Sequence, residues 1–156
     1  MPKPPAGFED VVDILNAYEA EMKEAINAPH ENRRRIESTW DVSSVNFRRT
    51  RELGKMLRTG QISKEVFEYC AKMGFVDGGL AKKWKLKGYE RLCCVQCVNP
   101  KNHDHGGTCV CRVPASKRQA GDIQCATCGC SGCASGEPKP NAPVSAVGEA
   151  STVVQQ

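Results

Sequence analysis

Aromatic side chains are scarce in this 156-residue chain: four Phe, three Tyr and two Trp, 6% in all. That shortage makes a large apolar core hard to build. No stretch approaches the roughly 18–20 consecutive apolar residues of a membrane span, so no membrane association is expected. The opening MPKPPAGFED has no apolar run of the kind that directs secretion, which argues against an oxidised disulfide scaffold. Also missing are a glycine-rich phosphate loop, a serine nucleophile elbow and a paired-carboxylate site. The sequence therefore offers no catalytic constellation and no evident site for a small-molecule substrate. Where thiols stay reduced, the ten cysteines that are present point to metal.

Charge is unevenly spread. Residues 1–31 carry two basic and seven acidic side chains, whereas residues 32–92 carry fifteen basic and seven acidic, a net +8. The cations come in runs: Arg33, Arg34 and Arg35; Arg48, Arg49 and Arg51; Lys82, Lys83, Lys85 and Lys87. A middle of this kind attracts a phosphate backbone, because each neutralised phosphate releases condensed counterions. It suits a solvated face balancing the acidic first segment equally well. Trp84 and Tyr89 lie among the last group and could stack on bases, but packing between helix and metal cluster is the stronger expectation for both.

Hydrophobic periodicity predicts four helices before the cysteines begin. The first runs over Glu9–Asn27, with Val11, Ile14, Leu15, Tyr18, Met22 and Ile26 inward and Pro29 beyond its end. A second, weakly apolar helix spans about Asn32–Arg58 and turns Ile36, Trp40, Phe47 and Leu57 inward, interrupted by Ser43, Thr50 and Gly54. In the third, Ser63 caps the start, Ile62 and Phe67 form a hydrophobic staple, and Gly74 with Phe75 ends it. A fourth extends from near Asp77 to Gly88, with Leu80 and Trp84 one turn apart. Residues 134–156, rich in Pro, Ala, Ser and Gly and without an aromatic, cannot offset their ordering entropy and are expected to be disordered.

Nine of the ten cysteines fall between positions 93 and 133, as CCVQC (Cys93, Cys94, Cys97), CVC (Cys109, Cys111) and CATCGCSGC (Cys125, Cys128, Cys130, Cys133). Two residues between cysteines let both thiolates turn onto one ion, the spacing of zinc knuckles. A redox pair such as Cys125 and Cys128 would need a βαβ setting that is missing here. One iron–sulfur cluster takes only four thiolates, and a RING-type module would interleave histidine. Structural zinc takes four tetrahedral ligands. Two separate ions would use eight thiolates and strand one, whereas three ions need twelve contacts, which nine cysteines supply when three of them bridge. The bridged set leaves no ligand over and is the favoured count.

Three such ions with nine thiolates would carry a formal charge of −3, which Arg91, Arg112, Lys117 and Arg118 lie close enough in sequence to compensate. With every coordination position filled by sulfur, the zinc would be structural and would supply folding energy in place of the missing core. His103 and His105 would add two donors, but on the glycine-flanked loop NPKNHDHGG they read as solvent-exposed. Cys70, inside the third helix, reads as a small buried hydrophobe.

ISKEVFEYC, AKKWKLKGYERLCCVQC, CVCRVPASK and CATCGCSGC, in that order, closely resemble the bud-site-selection thirty-one (G-ten) family of nuclear pre-mRNA splicing factors. The likeness runs from about Gly7 to Cys133 and is most specific from Ile62 onward. It implies a mainly α N-terminal helical part followed by a small, irregular cysteine-rich zinc-cluster domain. It also implies three zinc ions, with the ligand role on the nine cysteines named above, and residence in the nucleus. The implied partners are U6 snRNA, with pre-mRNA as a further candidate, and scaffold proteins of the spliceosome's active core.

The expected division is residues 1–92 as the helical domain with basic helices, 93–133 as the zinc-cluster domain and 134–156 as the tail. The resulting reading is a non-enzymatic structural component of the spliceosome, with Arg33, Arg34, Arg35, Arg48, Arg49, Lys82, Lys83, Lys85 and Lys87 as RNA contacts. A protein-only adaptor that binds transcription regulators is the alternative. A ubiquitin ligase or thiol oxidoreductase ranks last.

Overall fold

The computed structural model describes residues 2–103, 107–119 and 123–134. Helix α1 occupies Glu9–Asn27, with Glu9 and Asp10 at its positive end. Its buried row is Val11, Leu15 and Ala25, with Tyr18 and Met22 half-buried between them. Ile26, expected on this face, is 57% exposed. The row steps by four, three, four and three, so the next inward position after Met22 is Ala25, one residue earlier than the apolar pattern suggested.

The second predicted helix is shorter than its pattern. Asn32 adopts a left-handed backbone (φ 64°), which a right-handed helix cannot include. A 3-10 turn over Arg35–Thr39 follows, closed by two bonds to Glu37: Arg34 donates its backbone N–H at 3.1 Å and its Nε at 2.6 Å. Helix α2 then runs over Trp40–Arg58. Ile36 is left outside and 45% exposed, while Val45, Phe47, Arg49, Thr50 and Leu53 are buried. Thr50 is therefore no interruption. It is fully buried, and its Oγ1 accepts the Asp77 backbone N–H at 3.0 Å, pinning the start of the fourth helix to the middle of α2.

Helix α3, Lys64–Lys72, follows its signposts. Ser63 Oγ accepts the Val66 N–H at 3.3 Å, and Ile62 and Phe67 are buried in one cluster. Beyond the helix, Gly74 takes φ 80°, donating to the Ala71 carbonyl while Phe75 donates to that of Cys70 at 2.8 Å. Cys70 is fully buried among apolar neighbours, and burial pushes its thiol up to about 11. It is the apolar filler that its position suggested.

Helix α4 is Gly78–Lys83, capped by Asp77, whose carboxylate accepts the Leu80 N–H at 2.9 Å. The expected continuation to Gly88 is replaced by single turns, Lys85 to Lys82 and Leu86 to Lys83. Trp84 turns inward at the end of α4 and donates its indole N–H to the Leu92 carbonyl at 2.8 Å. Helical continuation is thus given up for a buried hydrogen bond that draws the approach to Cys93 against α4.

Two clusters of buried side chains result. One holds Val11, Leu15, Leu53, Ile62, Val66, Phe67, Cys70 and Val76, from α1, α2, α3 and the turns on either side of α3. The other sets Phe47, Leu80, Trp84 and Leu92 against the buried cysteines. From Cys93 onward the described residues form only short 3-10 turns, Val95–Val98, Pro100–Asn102, Val110–Arg112 and Ala115–Lys117. The fold is a helical N-terminal part joined to an irregular cysteine-rich part. Ala134 is buried at 3% exposure, and the rest of the tail expected over 134–156 lies outside the described residues.

Replacing Thr50 by Val keeps the volume but leaves the Asp77 N–H without its acceptor. Urea unfolding should show a loss of roughly 1–3 kcal/mol, whereas Thr50→Ser, which keeps the bond and deletes one methyl, should cost only about 1 kcal/mol.

Candidate metal centre and basic surface

Backbone hydrogen bonds clamp the three cysteine groups together. Cys109 N–H donates to the Cys97 carbonyl at 3.0 Å, joining CVC to CCVQC, and Cys133 N–H donates to the Cys111 carbonyl at 2.9 Å, joining the third group to the second. Inside the third group, Cys125 N–H donates to the Cys130 carbonyl and Gly129 N–H to that of Cys125, both at 2.8 Å. The 3-10 turn over Val95–Val98, which Cys94 precedes and Cys97 belongs to, brings their sulfurs to 3.4 Å. All ten cysteines are free thiols, and Cys94 is the half-buried member of an otherwise buried set of nine.

Within that set the sulfurs fall into three tetrads whose ligand atoms lie within 4.8 Å of one another: Cys93, Cys94, Cys97 and Cys128; Cys93, Cys111, Cys130 and Cys133; Cys97, Cys109, Cys111 and Cys125. Each pair of tetrads has one corner in common, and the common corners are Cys93, Cys97 and Cys111. Neighbouring sulfurs stand 3.3 Å apart for Cys97–Cys125 and Cys109–Cys125, 3.4 Å for Cys93–Cys97, 3.6 Å for Cys111–Cys133 and 3.8 Å for Cys93–Cys111. A disulfide requires about 2.05 Å. Four thiolates about 2.3 Å from one tetrahedral ion sit roughly 3.8 Å apart, so the donor set fits a thiophilic divalent cation in each tetrad.

The sulfurs also control one another's protons. Contacts with neighbouring thiols push Cys93, Cys97, Cys111 and Cys128 far up and hold Cys94, Cys125 and Cys130 down, with burial adding to the first set of shifts and opposing the second. A cation is the compensation that would let them all be thiolates at once. Nearby donors favour the charged form as well: Gly132 N–H points at Cys130 Sγ (3.2 Å), and Arg112 reaches Cys133 Sγ (3.4 Å) and its carbonyl (2.6 Å). His103 belongs to none of the tetrads; its Nε2 lies 3.2 Å from the Gln96 carbonyl. His105 lies outside the described residues.

The nine cations expected to contact RNA occupy different environments. Lys82, Lys85, Lys87 and Arg35 are exposed, and Lys83 is half-buried beside the Tyr89 ring. Arg33 pairs with Asp41 at 2.9 Å, Arg34 with Glu37, and Arg48 with Glu21 at 2.7 Å. Arg49 departs from the expectation. On the inward row of α2 it is only 7% exposed, its Nε has no hydrogen-bond partner, and burial lowers its pKa. That burial sets it apart from the exposed cations. The runs of arginine in sequence hid this, because the helix turns Arg48 and Arg49 in different directions. Trp84 is buried as well, 9% exposed, with the Phe47 ring 5.4 Å from it and the Arg51 guanidinium 4.4 Å from its centroid.

Comparison with known proteins matches the sequence of this chain to one family. The family model for Pre-mRNA-splicing factor BUD31 covers residues 1–135. The chain belongs to the BUD31 family. It is 42% identical over 136 residues to rice Protein BUD31 homolog 3, covering 86% of this chain and 94% of that protein. Against the Caenorhabditis elegans Protein BUD31 homolog it is 42% identical over 132 residues, covering 83% and 90%. To Saccharomyces cerevisiae Pre-mRNA-splicing factor BUD31 it is 30% identical over 143 residues, covering 84% and 91%.

Three contacts that seat the cysteine-rich part of this BUD31-family chain on its helices escaped the sequence reading. Trp40, at the start of α2, donates its indole N–H to the Ala126 carbonyl at 2.9 Å. Arg112 spans from Cys133 to the Gly88 carbonyl (2.6 Å) across the Tyr89 ring. Gly129 faces the Trp40 ring so closely that an added Cβ would stand 2.7–2.9 Å from three ring atoms, and its φ is 72°. A glycine between two cysteines in CATCGCSGC was the one available signal for this approach.

Gly129→Ala combines that clash with left-handed strain of roughly 1–2 kcal/mol. It should lower the melting temperature and alter the Trp40 emission, both measurable in a single thermal scan followed by fluorescence.

Proposed function

We propose that this chain is a non-catalytic structural subunit of the spliceosome in the nucleus. In this reading a cluster of three zinc ions, held by Cys93, Cys94, Cys97, Cys109, Cys111, Cys125, Cys128, Cys130 and Cys133, stiffens the C-terminal part. The observation that carries it is the sharing of Cys93, Cys97 and Cys111 between tetrads, which lets nine thiolates complete three four-sulfur sites. Four sulfurs around each ion leave no position for water or substrate, the mark of structural rather than catalytic zinc. Its chemistry would be folding free energy, supplied where apolar side chains are few. Residues 1–92 and 93–133 would act as two parts of one body, since Phe47, Leu80, Trp84 and Leu92 from the first pack on cysteines of the second.

Splicing enters through the family, whose relatives include proteins named as pre-mRNA-splicing factors in both budding and fission yeast. The partners in this reading are U6 snRNA, with pre-mRNA as a further strand, and scaffold proteins of the active core. Arg35, Lys82, Lys83, Lys85 and Lys87 would meet RNA phosphate first. Arg33, Arg34 and Arg48 would join by exchanging a carboxylate for a phosphate, which exposed ion pairs allow at little cost. Arg49 has no part in this contact. Among the described residues no helix is long and apolar enough to cross a membrane.

Elemental analysis of the purified chain should return three zinc ions, and a value of two or fewer would sink the bridged arrangement. Cys94→Ala, at an unshared corner, should lose at most one ion, whereas Cys111→Ala, at a shared corner, should lose at least two. For the RNA half, crosslinking followed by sequencing should recover U6 snRNA. An Arg35→Glu/Lys87→Glu double variant should weaken that signal and flatten the dependence of binding on salt. No enrichment of spliceosomal small nuclear RNA would remove RNA contact from the reading.

A further inference from the structure

Between α2, α3 and α4 lies an open groove of about 470 Å³, within the size range of ligand-binding clefts. Leu57, Phe67, Ala81 and the edge of Trp84 line it, so its surface is mostly apolar. Gly54 also lines it, in the last turns of α2, where glycine is the least favourable residue other than proline. Its backbone needs no left-handed freedom, and an added Cβ would meet nothing within 4 Å. Neither backbone geometry nor close packing therefore calls for glycine at position 54. Its effect is to leave the groove open at that position.

The rim is strongly cationic. Arg58, Lys64, Lys82 and Lys85 surround the opening, while Glu68 is the lining carboxylate and is itself engaged by Lys64 at 3.4 Å. An apolar floor within a basic rim matches a partner of opposite design: one apolar face flanked by carboxylates. Nucleic acid fits the floor poorly, since Phe67 and Trp84 are each only 9% exposed, leaving no open ring on which a base could stack. We infer that this groove docks an acidic amphipathic helix of a partner protein, with apolar side chains spaced at i, i+4 and i+7 entering beside Gly54 and flanking Glu or Asp side chains reaching Arg58, Lys82 and Lys85.

The inference goes beyond the splicing role and gives Lys82 and Lys85, named above as RNA contacts, to the helix instead, leaving Arg35, Lys83 and Lys87 to RNA; its test uses neither Arg35 nor Lys87, so the two readings fail separately. The full chain, purified with its metal and isotope-labelled, is titrated with a helical peptide of about 15 residues carrying Leu at i, i+4 and i+7 and Glu on its flanks. Parallel titrations use the same peptide with Lys for Glu and an oligouridine RNA of similar length. The Glu peptide should shift the amide signals of Gly54, Leu57, Phe67 and Ala81, and the Lys peptide should bind at least about tenfold more weakly. Gly54→Phe, which fills the groove where there is room, and Arg58→Glu, which reverses one rim charge, should each weaken the Glu peptide by at least about tenfold without lowering the melting temperature.

Equal binding of both peptides, or full binding to Gly54→Phe, overturns the inference. RNA shifting the same amides would make the groove a nucleic-acid surface and overturn it too. Concentration-dependent shifts of these amides in the free chain would assign the groove to a second copy. Contacts from groove methyls to Val144–Val154 would assign it to the chain's own tail. Either of these results also overturns the inference.

Discussion

Mutual contact among buried sulfurs is the constraint that the remainder of the molecule serves. Nine thiols, eight of them buried, fall into tetrads whose sulfurs lie within 4.8 Å of one another, an arrangement that as bare thiolates would repel itself apart. The helices close one cluster of their own around Leu53 and Cys70, but their second buried face depends on the sulfurs. Phe47, Leu80, Trp84 and Leu92 use the sulfurs as their packing partners, so the apolar side of α2 and α4 is completed by cysteine rather than by aliphatic or aromatic carbon. That substitution answers the shortage of aromatics: sulfur, soft and polarizable, fills the volume, and a cation joining it would supply cohesion that dispersion alone gives only in larger interiors.

The common corners make the three tetrads one object. Displacing Cys93, Cys97 or Cys111 disturbs two sites, and each of these residues comes from a loop tied to another by a backbone hydrogen bond, Cys109 to Cys97 and Cys133 to Cys111. Stiffness therefore runs through both the sulfur network and the main chain. Trp40, Gly129 and Arg112 extend it to the helices, through an indole bond to Ala126, a face-to-backbone approach and a guanidinium bridge. Within a large assembly, a body tied at so many points presents its outer residues in fixed relative positions, with little entropy left to lose on docking.

Much of this was legible in the sequence, for reasons that differ by element. Helix α1 has a long apolar repeat and α3 has cap, staple and terminating glycine, all local signals that fix an element without knowledge of its partners. Ligand arithmetic anticipated three shared sulfurs because tetrahedral coordination is a counting rule. What local reading missed depended on distant partners. The indole of Trp84 prefers the Leu92 carbonyl to helical continuation, shortening α4, and Asn32 turns left-handed ahead of a 3-10 turn that displaces the start of α2. Arg49 was grouped with its neighbours by charge, although its place on the inward row of α2 buries it.

The bond from Trp84 to Leu92 and the packing of both on sulfur bear on how the chain comes into being. Emerging from the ribosome, α1, α2 and α3 can close their own cluster around Leu53 and Cys70, but the side of α2 that carries Phe47 must wait until Cys133 has been synthesised. Until then Phe47, Leu80 and Trp84 form an uncovered greasy surface, the kind of intermediate that chaperones hold. Assembly of this protein is thus ordered in time by its own topology, with capture of the last cysteine group as the closing event.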